Sequence, residues 1–175
     1  MGCDIHLFVE IKNPQFASYE SLFAGEALVE RNYQLFAALA GVRNYENFPT
    51  LHRPRGFPED ASEAAVDQYY QLIIEDKDAW MFSGLQFVTL SHAAETDRLP
   101  PSVKRSGMTS ELGYIVCPDW HTPSYLQLSE IHEALAHANI DAGTLAPGFR
   151  VVLETMATAE RLFHQPTRAV FWFDN

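Results

Sequence analysis

Residues 3–11, CDIHLFVEI, and residues 167–175, TRAVFWFDN, decide the fold. In the first run Ile5, Leu7, Val9 and Ile11 share one face, and Asp4, His6, Phe8 and Glu10 share the other. A period of two is the pattern of a half-buried strand, because successive strand side chains point to opposite sides. The second run is rich in aromatic and β-branched residues, which suit a pleated surface.

Between these strands the strongest signals are helical. In RNYQLFAALAGV (31–42) Asn32 can cap, Tyr33, Phe36, Ala37 and Ala40 recur at helical spacing, and Gly41 is a natural stop. Leu35, Leu39 and Val42 cover a second side, so this helix is expected to be buried. Asp60 or Ser62 caps a second helix with Val66, Tyr69, Tyr70 and Ile73 on one face. Ser129 caps a third, running to about Ala138, and a fourth follows from about Phe149 with Val152, Met156, Ala159 and Phe163 in register. The order is not a steady βαβ alternation. The expectation is therefore a single α+β domain, with one mixed or antiparallel sheet that holds the first and last strands and about four packing helices.

Elsewhere the signals weaken. LQFVTL (85–90) and LGYIVC (112–117) read as strands, and Tyr125–Leu128 as a short extended run. Residues 93–111, with Pro100, Pro101 and Gly107, are the best place for a flexible insertion or flap. NYENFPTLHRPRGFPEDA (44–61) carries Pro49, Pro54 and Pro58 and reads as a long loop.

The chain has 175 residues, within the roughly 100–200 of one domain, and a net charge of −11. Non-specific nucleic-acid binding comes from Lys and Arg neutralising phosphates, so that class is excluded. The acidic balance serves solubility or meets a basic partner. Cys3 and Cys117 form neither a CxxC nor a zinc spacing, as in a reducing compartment. The start MGCDIHLFVE carries acids rather than the basic residues of a signal peptide, and no apolar run approaches the ~20 residues of a membrane span. A cytoplasmic protein is expected.

Three groups of polar residues stand where a hydrophobic domain has no need of them. Asp4, His6 and Glu10 share a strand face; residues two apart lie about 7 Å from one another, so Asp4 and His6 can converge on one ligand. The bland alternative is the solvent face of an edge strand. Asp119, His121 and Ser124 lie in the loop after a strand. The two Asp-x-His pairs, Asp4/His6 and Asp119/His121, supply the donors of a catalytic zinc or another divalent metal; the alternative is a loop histidine bonded to backbone. Metallophosphatases also open with an Asp-x-His strand, but their GD-x-x-DRG and GNH elements are absent here. Third, Arg53 and Arg55 precede Gly56 and a helix start at Asp60, and Arg31 and Arg43 bracket the buried helix. Arginines beside a glycine turn and a helix N-terminus suit an anion, although they also pair with surface acids. No P-loop, G-x-G-x-x-G or nucleophile elbow occurs.

Several segments taken together, GCDIHLFVE (2–10), RNYQLFAALAGVRN (31–44), RGFPEDAS (55–62), WHTPSYLQLSE (120–130) and FWFDN (171–175), resemble a family of uncharacterised small proteins from bacteriophages and prophages. At the fourth segment that family reads more like HSHSWLTL, where this chain has Thr122-Pro123. The resemblance implies a setting, host takeover or counter-defence in the bacterial cytoplasm, and no mechanism. The segments contain Asp4, His6, Arg31, Arg43, Arg55, Asp60, His121 and Ser124, the residues singled out above. One expectation follows: a site for an anionic, nucleotide-like small molecule held by Arg31, Arg43, Arg55, Asp60 and Ser124, with His6, His121 and Asp4 catalysing hydrolysis. The alternative is an acidic inhibitor or adaptor that binds a host protein and has no catalytic site.

Overall fold

The first strand pairs with the last. A computed structural model describes residues 2–16, 18–74, 76–82, 87–95, 114–116 and 119–175. In it β1 (Asp4–Lys12) runs antiparallel to β7 (Thr167–Asp174), from Asp4 opposite Asp174 to Ile11 opposite Thr167. A three-residue strand, β2 (Tyr19–Ser21), flanks β1, and β6 (His121–Gln127) flanks β7, giving the antiparallel order β2-β1-β7-β6. The α+β expectation holds, with the two terminal strands as neighbours.

β1 is a central strand rather than an edge, and both of its faces are covered. On one face Ile5, Leu7, Val9, Ala169, Phe171 and Phe173 meet three helices. These are α1 (Tyr33–Ala40), α4 (Leu128–His137) and α5 (Pro147–Phe163). On the other face Phe8, Val170 and Trp172 are buried, with Phe57 of the long loop edge-on to Trp172. The side that alternation suggested was polar therefore carries a second apolar layer.

Local chemistry explains the helix ends. Asn32 caps α1, its Oδ1 accepting from Leu35 N at 3.1 Å, and Gly41 ends it at φ 71, a conformation glycine adopts at little cost. For α4 the cap is Gln127 rather than Ser129, and the Gln127 N–H donates to Glu130 at 2.9 Å. The N-terminus of α5 receives the Glu30 carboxylate, which accepts from Gly148 N at 3.1 Å where the helix dipole is positive.

The chain comprises two compact units, Met1–Ala65 with Trp120–Asn175, and Val66–Asp119. In the second, one sheet was expected to continue, but a separate three-stranded sheet forms. Its order is β4-β3-β5, from β3 (Tyr70–Ile74), β4 (Phe87–Thr89) and β5 (Tyr114–Val116), with α3 (Leu90–Glu95) after β4. The helix capped by Ser62, α2 (Glu63–Tyr69), is shorter than its apolar spacing suggested. From Tyr70 the run YQLII changes to strand, the preference of aromatic and β-branched residues. Of the flap 93–111, residues 96–111 lie outside the described residues.

Candidate functional site

His6 stands at the end of β1, opposite Trp172, and its ring stacks on that indole with centroids 5.5 Å apart. Trp120 lies 5.1 Å away on a tilted plane. Nδ1 donates to Glu26 Oε2 at 3.1 Å, and Nε2 faces Asp174 Oδ2 at 3.4 Å without the angle of a hydrogen bond. Burial opposes a charge on His6. The hydrogen bond and charge of Glu26, with Asp174, more than offset this and raise the imidazole pKa above its ordinary value.

Glu26 belongs to a strap, residues 22–30, that follows β2. Its Leu22 and Ala27 N–H groups donate to Val9 and Leu7 carbonyls at 2.8 Å, so it lies along β1. His6 and Gly148 each hold one acid of this strap.

The predicted site residues are placed as follows. Asp4 is gripped by Arg31, Nε to Oδ1 at 2.7 Å and Nη2 to Oδ2 at 2.6 Å, which holds its carboxyl below the ordinary range. The guanidinium lies so close to Gly2 that a Cβ there would fall 2.3 Å from Nη1. Arg43 donates to Asn175 Oδ1 at 2.7 Å. Arg55 donates to Glu130 at 2.9 Å and stacks on the Tyr125 ring at 5.3 Å, while its backbone N–H donates to Ser124 Oγ at 3.2 Å. Ser124 thus fastens the loop to β6. Asp60 accepts from Arg168 Nη1 at 2.7 Å, and Arg168 Nε donates to the fully buried Glu10 at 2.7 Å. Ser62 N–H donates to the other Glu10 oxygen at 2.7 Å. Asp119 belongs to the other unit.

These placements change the expected site. Arg31 and Arg55 are each engaged by an acid, and Asp60 by Arg168. His121 is opposite Phe173 and stacks on it, with Nδ1 and Thr122 Oγ1 2.8 Å apart. Trp172 and Phe173 are consecutive on β7 and point to opposite faces. His6 therefore lies on one side of the sheet and His121 on the other. Among the described residues no group of three or more His, Cys, Asp or Glu side chains is arranged to hold a metal ion.

A further feature of α5 lies outside the stripe that its core spacing marks. α5 buries Phe149, Val152, Met156 and Ala159, as its spacing suggested, but Phe163 is 60% exposed where the helix ends at left-handed His164. One step around the helix, Val151, Thr155, Thr158 and Leu162 form a second stripe. With Leu22 and Phe163 they line a groove of about 660 Å³. Phe23–Leu28 with Pro147, Gly148, Val151 and Val152 line a second, of about 590 Å³. Val151 is 57% exposed, Leu162 59% and Leu28 89%. Val151 and Leu162, with Thr155 and Thr158 between them at steps of four, three and four outside the core stripe, were the available signal.

Compared with known proteins, the chain matches no protein-family model, no curated protein and no solved structure. Among the described residues no helix is long and apolar enough to cross a membrane.

Proposed function

We propose that this chain is a non-catalytic docking protein, which binds another folded chain through the outer face of α5 and the adjoining strap. The observation that carries the reading is the solvent-facing run of Val151, Leu162, Phe163 and Leu28 along two adjoining grooves. Large apolar side chains gathered beside one another, rather than scattered, characterise protein-binding surfaces. The resemblance of the sequence segments to phage proteins supports the cytoplasm of a bacterial host as the setting of this docking.

The competing reading, binding and hydrolysis of a nucleotide-like anion, draws less support. It needs both imidazoles at one ligand atom and arginines free to meet phosphate. His6 and His121 occupy opposite faces, and Arg31 and Arg55 are held by carboxylates.

A photo-crosslinking amino acid at Leu162 or Leu28, in cells, tests the docking reading. Covalent protein adducts are expected at these positions and not at Ala136 on the outer side of α4, exposed but outside the grooves. Equal labelling at all three, or none, would sink it.

A further inference from the structure

The stripe on α5 has the residue spacing of a helix-pairing seam. Val151, Thr155, Thr158 and Leu162 are separated by four, three and four residues, the alternation with which two helices interlock side chains. Small threonines occupy the middle, where the axes of a pair come closest, and large apolar groups occupy the two ends. Leu28 of the strap extends the N-terminal end, and Leu22 and Phe163 extend the other.

Charge flanks one side of this seam only. Glu154 and Arg161, seven residues apart, occupy equivalent places along that flank and are both exposed. The opposite flank is occupied by the strap. A second copy of the helix laid antiparallel about a two-fold axis between Thr155 and Thr158 brings Val151 against Leu162 of the other copy. The same operation sets Glu154 beside Arg161 of the other copy, and it does so twice. Each exposed apolar end meets the complementary end, as an isologous interface requires.

The fold holds the seam in shape. Gly148 lets the strap backbone approach α5 so closely that a Cβ there would lie 2.1 Å from Leu28 O, and Glu30 caps the helix at the same point. Leu28 is thereby fixed beside the seam with 89% of its surface exposed.

We infer that the occupant of the α5 face is a second copy of this chain, in a two-fold dimer built on antiparallel α5 helices and reciprocal Glu154–Arg161 pairs. The inference rests on the docking reading above and names its partner.

Light scattering on the full chain during size exclusion, over a dilution series, tests it. The wild type is expected at the mass of two chains, dissociating on dilution. Glu154→Arg or Arg161→Glu alone places like charges face to face twice and is expected to raise the dissociation constant at least about tenfold. The double variant Glu154→Arg/Arg161→Glu restores opposite charges and is expected to recover the dimer. All the altered side chains are exposed, and far-ultraviolet circular dichroism checks that each variant is folded. A monomer at every concentration overturns the inference, as does a dimer that neither single reversal weakens or the charge swap does not recover. A monomer whose Leu162 still crosslinks to a different protein in cells overturns the second copy and leaves the docking reading standing. A monomer with no adduct at Leu162 or Leu28 overturns both.

Discussion

His6 Nδ1 and Glu26 Oε2 lie 3.1 Å apart, and this bond ties the first strand to the strap that walls one groove of the α5 face. The imidazole is shielded by Trp172 and Trp120, and Asp174 faces its other nitrogen. Two carboxylates on one imidazole favour the charged form, which gives the contact a pH dependence.

The folded-state pKa of His6 is raised, so its contribution to stability is fully present below the ordinary value of 6.5 and lost as pH rises through the folded value. Wild type and His6→Gln, compared by urea unfolding from pH 5.5 to pH 9, are expected to differ most at the acidic end and to converge at the alkaline end. A difference independent of pH would mean that His6 contributes by packing alone. Docking through α5 is expected to survive the substitution.

Arg168 joins Glu10, which is fully buried, to Asp60, and lies 3.5 Å from the centre of the Tyr19 ring. Arg168→Ala leaves a carboxylate inside the protein with no cation. The expected loss is about 3–5 kcal/mol in chemical denaturation, or failure to fold. Replacing both partners, Glu10→Leu with Arg168→Met, is expected to recover most of that loss. A double variant no better than the single one would show that the apolar pair does not fit the site.

Asn32 supplies the cap of α1, a helix whose residues Leu35 to Ala40 are all buried. Asn32→Ala is expected to cost about 1 kcal/mol, and Asn32→Asp much less, since the carboxylate also accepts from Leu35 N. Thermal unfolding of the three proteins side by side reads the difference. Equal melting of Asn32→Ala and wild type would remove the cap from the account.

Gly148→Ala sets a methyl group against Leu28 O, a backbone atom that moves only with the strap. A loss of about 1–3 kcal/mol is expected. Hydrogen exchange should locate it: the Gly148 and Ala27 amides, which donate to Glu30 and Leu7, lose protection together. Unchanged protection at both would show that the strap is not held at this point.

Several features were legible because they depend on neighbours in sequence. The alternation of Ile5, Leu7, Val9 and Ile11 identified a strand, and Asn32 and Gly41 bounded a helix within the residues that needed bounding. Those patterns reflect the two-residue and 3.6-residue repeats of the backbone itself. The same reading extended α2 past Tyr69 because apolar spacing continued, although the residue types at 70–74 favoured a strand. It also followed only the core stripe of α5 and so missed the exposed one beside it.

What the candidate site contains was not legible in the same way. The sequence by itself determined that Asp4, His6 and Glu10 alternate with apolar residues, and that arginines gather between positions 31 and 55. Only the tertiary structure decided which partner each would take. His6 meets Glu26 and Asp174, Glu10 meets Arg168, and Arg55 meets Glu130. The reason is physical: a backbone repeat assigns a side chain to a face locally. A salt bridge forms between whichever charges the folded chain brings together, and here most of those partners are more than a hundred residues apart in sequence or on a different element. Alternation likewise could not show that β1 is covered on both sides, since that depends on where the loop carrying Phe57 and the indole of Trp172 come to rest.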